Sequence, residues 1–235
     1  VRDTRTNSSL LNWRILMNEV VFIDGTTLDD AWHQTLYTLL HRGRRYTVEW
    51  GSYAGTGRLE FDFAVIRVRR PWDEPKIPVF PEHKGDIPPP TTEEYVSEYF
   101  VTYIMGEGKK PGEDYTYGER LRSQIDRAIW MYRKRGFSSN QVILQVAQPS
   151  DLHLNDPPCL RHIDTRIRDG TLHFFPYFRS WDLWGGFPAN MAALQLLKEY
   201  MSREIGVGDG EIVATSKGLH IYRHVEELAW RRFNK

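Results

Sequence analysis

Apolar residues recur along this chain with two periods, and the changes between them mark out its elements. Leu28, Trp32, Leu36, Leu39 and Leu40 share one helical face, opened by Thr27 with Asp30 in a capping-box pattern and ended by Gly43 at the position just past the helix. Residues 46–50 and 59–69 read as strands around the loop GSYAGTG. Leu59, Phe61, Phe63 and Val65 alternate, whereas Ile66 and Val68 take the opposite phase, which predicts a bulge over 64–66. Residues 71–90 are proline-rich and predict an extended surface connection. Thr91 with Glu94 opens a second helix whose apolar face is Tyr95, Val96, Tyr99, Phe100, Tyr103 and Ile104, up to Gly106. Leu121, Ile125, Ala128, Ile129 and Tyr132 predict a long amphipathic helix over 118–135, and 141–148 (QVILQVAQ) a buried strand.

Two further apolar runs, 160–168 and 171–179, flank Asp169-Gly170. A type I′ turn needs positive φ at both central residues, so Asp-Gly here predicts a hairpin that brings Arg179 back beside Cys159. Gly185-Gly186 then breaks the strand and Pro188 suits a first helical turn. Residues 191–205 read as a helix with Leu194, Leu197, Met201 and Ile205 inward, 210–215 as a strand, and 225–235 as a terminal amphipathic helix. Residues 1–18 read as a frayed leader. The pattern predicts one α/β domain over 1–235, with helices packed on a mixed, twisted sheet.

Composition narrows the functional classes. At 235 residues the chain is long enough for one sizeable core. Its 31 basic and 31 acidic residues balance, which argues against a general nucleic-acid or membrane-surface binder, so an anionic ligand has to be met by a local cluster. The one cysteine excludes an intramolecular disulfide and a multi-cysteine metal site. No apolar run reaches the ~18 residues of a membrane span, and no segment reads as a secretory signal; the expectation is a cytoplasmic protein.

The strand–loop–helix corner after the hairpin gathers a thiol (Cys159), a guanidinium (Arg179), a carboxylate (Asp182) and an amide (Asn190). A thiolate is a nucleophile, and a neighbouring cation raises its fraction. Arg179 also suits bidentate contact with an anion, and the amide of Asn190, with donors and acceptor together, matches a pyrimidine edge. On residues alone the bland reading also stands, with Cys159 a small buried hydrophobe and the charges in solvated pairs.

Three separated blocks carry a resemblance. Pro157-Pro158-Cys159 is followed by Arg179-Ser180, Asp182, Gly186, Pro188 and Asn190 in an R-S-x-D-x-x-x-G-x-P-x-N pattern, and then by His220-Ile221-Tyr222. Their order and spacing resemble the thymidylate synthase family, most closely its short archaeal type. The resemblance implies that family's fold as a homodimer joined through sheet faces, and reductive methylation of dUMP to dTMP. The carrier it implies is a reduced pterin, either methylene-tetrahydrofolate or a tetrahydromethanopterin-type analogue, with no metal. It assigns Cys159 as nucleophile, Arg179 and Ser180 to the phosphate, Asn190 to the uracil edge, His220 and Tyr222 to the sugar, and Asp182 to the pterin, with Gly186 among the substrate-binding residues. Tyr117 falls beside the nucleophile. SEYFVTYIMG is similar to the family's glutamate-bearing helix with one extra residue, so Glu98, half buried among aromatics, is the proton-transfer candidate and Glu94 its reserve.

The departures are specific. Tyr53 stands where the family's Gly-rich loop has a phosphate-binding arginine, which leaves Arg58 as the substitute. Ser139, Asn140 and Gln141 stand where two arginines reach the partner's phosphate site, with Arg161 or Arg166 as compensators. The short 106–115 loop lacks a segment whose tryptophan packs near the folate, which leaves a nucleotide hydroxymethylase as one alternative, and the lost phosphate arginines leave a non-catalytic nucleotide-binding or structural relative as another. The pair His220 and His224 has no further clustered ligand to make a metal site.

Overall fold

A computed structural model describes residues 19–80 and 87–233; the expected leader (1–18) lies outside the described residues. The chain runs β1 (Val20–Gly25), α1 (Leu28–Arg42), β2 (Arg44–Thr47), β3 (Gly57–Phe61), β4 (Phe63–Val68), α2 (Glu93–Tyr99), α3 (Tyr117–Arg135) and β5 (Ile143–Gln145). It continues through β6 (Leu160–Arg168), β7 (Thr171–Phe178), β8 (Trp181–Asp182), α4 (Gly186–Ile205), β9 (Gly208–Ser216), β10 (Leu219–Tyr222) and α5 (Glu226–Phe233). No regular element lies between β4 and α2 among the described residues.

The architecture is α/β, with two mixed sheets rather than the one expected, ordered β1-β4-β9-β7-β6-β5 and β2-β3-β10-β8. The division falls at Asp62. Leu59 and Phe61 are buried from the smaller sheet and Ala64, Ile66 and Val68 from the larger one, so the change of phase is a crossing between sheets and not a bulge at 64–66. Asp62 sits at the crossing, paired with Arg44 at 2.9 Å.

The hairpin follows the prediction: Asp169 has φ 51°, Gly170 φ 74°, and Arg168 pairs with Thr171. Arg179 N–H donates to Cys159 O at 2.8 Å, which closes the return. Helix α4 begins five residues before its expected start at 191, where the Asp182 carboxylate accepts the N–H groups of Trp184 and Gly185, which lead into it, and of Gly186, its first residue. It is buried nearly all round, with α1, α2 and α3 against it on one side and β7 and β9 on the other.

Other differences are local. Thr27 caps α1, but Gly43 has φ −65°, so it is not the left-handed residue expected there. Glycine is required instead by space, since a Cβ would lie 2.6 Å from Leu39 O and 2.7 Å from Leu59 Cγ. The cap of α2 is Thr92, which accepts from Tyr95 N–H at 3.2 Å, and not Thr91, which is buried. β5 is a three-residue edge strand with one buried face, Leu144 inward and Ile143 exposed, where a longer buried strand was expected.

Helix α2 runs on into a π turn at Phe100–Ile104, closed by Met105 N–H to Phe100 O at 3.0 Å. A π turn holds one residue more than an α turn, which accommodates the extra residue noted in SEYFVTYIMG. The chain then returns so that α3 starts against Gly106. A Cβ on Gly118 would lie 2.2 Å from Gly106 O, backbone against backbone. Gly118→Ala is therefore expected to cost about 3 kcal/mol, read as a lower urea midpoint at unchanged m-value.

Candidate active site

Helix α2, the start of α3, the Cys159 segment, β8, the start of α4, β10 and the loop after β2 enclose a cavity of about 890 Å³. Every predicted site residue lines it except the reserve Glu94 and the two candidate phosphate compensators, Arg161 and Arg166. Cys159 is pinned from both sides. The Arg179 Nε donates to the carbonyls of Pro157 (3.1 Å) and Pro158 (3.2 Å), and its Nη2 to Pro157 O and to Asp156 Oδ1 at 3.1 Å. On the other side, Tyr117 Oη accepts from Leu160 N–H at 3.2 Å. The expected lowering of the thiol pKa is outweighed: burial pushes the Cys159 thiol up, Arg179 pulls it down, Asp156 pushes it up, and Arg58 and Arg161 pull it down.

Arg58 turns into the cavity from β3. It donates to Ser180 Oγ (3.4 Å) and Tyr222 Oη (3.2 Å), and its guanidinium lies 5.0 Å from the centre of the Tyr222 ring. Tyr53 stacks on Tyr222 at 5.3 Å, and the same guanidinium lies 5.7 Å from the centre of its ring. Arg161 and Arg166 do not line the cavity: Arg161 is taken up by Pro158 O and Asp151, and Arg166 is exposed on β6. Lys217, which nothing in the sequence pattern singled out, lines the cavity from the β9–β10 turn and has no ion-pair partner among the described residues.

The Asn190 amide is held by two groups. Trp181 Nε1–H donates to its Oδ1 at 2.9 Å, and its Nδ2 donates to Tyr99 Oη at 2.9 Å. One lone pair and one N–H remain for a ligand. Tyr99 stacks with Tyr95 (6.1 Å) and Tyr103 (5.4 Å) at successive four-residue spacings along α2. Burial pushes the Tyr99 and Tyr117 hydroxyls far up, and that of Tyr103 up to about 12, so all three stay protonated at neutral pH. Glu98 is 63% exposed at the rim, 3.6 Å from Lys110, and not half buried; the helix turns its aromatic face inward and carries Glu98 on the flank. Glu94 is exposed at the α2 N-terminus, where its own N–H and the Thr92 hydroxyl lower its carboxyl. The Asp182 carboxyl is pushed up by burial and pulled back by the three N–H groups it accepts.

His220 is 2% exposed, and its Nδ1 lies 2.9 Å from Gly218 O. A carbonyl only accepts, so Nδ1 carries the proton and Nε2 is a buried acceptor with no partner among the described residues. Burial and then Arg58 push its pKa down from 6.5 to about 4. Between those values the unfolded chain takes up a proton that folded His220 does not. Stability should therefore fall by about 3 kcal/mol as pH drops from 6.5 to about 4, with no contribution above that window. Urea titrations across this range would show the loss in the parent and its flattening in His220→Gln.

A sequence model of the family "Thymidylate synthase" matches residues 24–232. The chain belongs to the thymidylate synthase family. A Methanosarcina barkeri protein named "Putative thymidylate synthase" is 33% identical over 204 residues, which cover 84% of this chain and 88% of the relative. A Methanosarcina acetivorans protein of the same name is 31% identical over 86% of this chain and 89% of its own length. A Listeria monocytogenes thymidylate synthase is 32% identical over 93 residues, 39% of this chain and 30% of that enzyme. The family is one of methyltransferases that act on dUMP with a folate-type one-carbon donor. Among the described residues no group of three or more His, Cys, Asp or Glu is placed to hold a metal, and no helix is long and apolar enough to cross a membrane.

Proposed function

We propose that this chain makes dTMP from dUMP by reductive methylation with Cys159 as nucleophile. The observation that carries this is a single cavity holding a pinned thiol, a half-satisfied amide at Asn190 and an unpartnered buried acceptor at His220. The Cys159 thiolate adds to C6 of the uracil. Negative charge then develops at C5 and O4, and the free N–H of Asn190 stabilises it at O4 while its free lone pair accepts from N3–H. His220 Nε2 accepts from a sugar hydroxyl, with Tyr222 beside it. Arg58, Arg179, Ser180 and Lys217 meet the phosphate. Glu98, at the solvent rim, passes the C5 proton through water, and loss of the Cys159 sulfur from C6 completes the cycle.

The residues fit a reduced pterin. The stacked ring faces of Tyr95, Tyr99 and Tyr103 suit a flat heterocycle, and the cavity lies near the top of the usual ~300–1,000 Å³ range, enough for nucleotide and carrier together. When bound, the carrier supplies the one-carbon unit and a hydride. Asp182, beside Gly186, would hold its ring. A homodimer across the open face of the six-stranded sheet is supported by the exposure there of Val20, Phe22, Ile143 and Phe175.

Mass spectrometry of the nucleotide formed from dUMP tests the reading, with methylene-tetrahydrofolate and separately with the tetrahydromethanopterin analogue. A methylated product is expected with at least one carrier. A hydroxymethylated product would move the chain to the second activity considered for it, and nucleotide binding with no product under either carrier would leave a binding protein.

A further inference from the structure

The Asn190 amide is symmetrical enough in shape to sit either way round, and which way decides what it reads. Uracil offers a donor at N3 and an acceptor at O4; cytosine offers an acceptor at N3 and a donor at its 4-amino group. An amide free to turn over would pair with both. Trp181 removes that freedom, because an indole N–H donates and cannot accept. Turning the amide would set Nδ2–H against Trp181 Nε1–H, donor against donor, in a site where Trp181 is 2% exposed. The indole cannot swing away: it lies flat on Phe178 at 4.0 Å with 6° between the planes, and against Phe187 at 4.7 Å. Tyr99 does not enforce the orientation, since its hydroxyl can rotate to donate to Oδ1 as readily as it accepts from Nδ2.

We propose that Trp181 is the positioning residue that makes this site choose 4-oxo over 4-amino pyrimidines, by holding the Asn190 amide in one orientation. Trp181 occupies the unspecified position of the R-S-x-D pattern, so the motif itself carries no such instruction. The inference rests on Asn190 reading the base edge, as proposed above.

Calorimetric titration of dUMP and dCMP, with no carrier present, separates the two ideas. The parent should prefer dUMP. Trp181→Phe should narrow the dUMP:dCMP affinity ratio by about tenfold or more, mainly through tighter dCMP binding, because an unsatisfied buried donor no longer opposes the turned amide. Tyr99→Phe should change the ratio by less than about threefold, since it removes no orienting donor. If Trp181→Phe does not fold, replacement of Trp181 by benzothienylalanine exchanges the ring N–H for sulfur in the same outline and gives the same reading. A purely structural role would weaken both nucleotides equally and leave the ratio intact; that result overturns the proposal. Asn190→Ala tells the two failures apart. Loss of preference there, with the ratio intact in the Trp181 variants, sinks the orientation argument alone, whereas retained preference in Asn190→Ala removes Asn190 from the base edge and overturns both.

Discussion

Cys159→Ser will lower dTMP formation by about 10⁵-fold while dUMP affinity stays within about tenfold of the parent. A serine hydroxyl is useful as a nucleophile only where a base takes its proton, and the carboxylate that acts on Cys159, Asp156, is engaged by Arg179 at 3.1 Å. The hydroxyls of Tyr99, Tyr103 and Tyr117 all hold their protons at neutral pH, and Arg179, the charged group with the largest influence on the thiol, is a permanent cation. A thiol, even one pushed up by burial, still reaches a reactive thiolate fraction unaided. Affinity survives because Asn190, His220 and Arg58 are untouched by the change. Single-turnover assays beside equilibrium titration measure both quantities; a serine variant that turns over within tenfold of the parent would remove Cys159 from the chemistry.

Arg179→Ala is expected to reduce kcat/KM by about 10³-fold, through position more than through charge. Its guanidinium joins the Pro157 and Pro158 carbonyls and Asp156 into one fastening for the residues just before the thiol. Without it Pro157 O and Asp156 lose this donor and Pro158 O keeps only Arg161, so the segment relaxes and the sulfur leaves the line to C6. After burial, Arg179 is also the largest influence on the Cys159 thiol and pulls its pKa down. Alkylation of Cys159 by iodoacetamide should therefore slow at any fixed pH below the thiol pKa. Arg179→Lys should restore part of the alkylation rate and little of kcat/KM, because an ammonium keeps the charge but cannot span two carbonyls and a carboxylate in one plane. An alanine variant with unchanged alkylation and less than a tenfold loss of kcat/KM would contradict this account.

What was legible in the sequence is what short-range chemistry decides. Asp169-Gly170 sets a two-residue turn, and a two-residue turn leaves Arg179 no other place than beside Cys159. Leu121 to Tyr132 write α3 in their spacing. His220 and Tyr222, two apart on a strand, had to share a face, and both line the cavity. The failures come from contacts between distant segments. Residues 59–69 read as one strand with a bulge, and only their separate partners, β10 and β9, divide them between two sheets. Thr91 and Thr92 are adjacent, and the pattern favours the first through Glu94 while the fold uses the second. The exposure of Glu98 follows from which face of α2 meets α4. Tyr99 looked like one more apolar position on that face, and its hydroxyl matters only because Asn190, distant in sequence, comes within 2.9 Å.

The π turn in α2 has a consequence for how such a chain tolerates change in length. An α-helix advances ~100° per residue, so one residue added to it rotates everything downstream relative to everything upstream. Here the surplus residue is confined to one widened turn, with Glu98 and Tyr99 before it and Gly106 after it still meeting their own neighbours. Insertion or deletion at this point is thereby uncoupled from the identity of the groups that face the thiol. The wall of the cavity can drift in length over generations of sequence change while its chemistry stays in register.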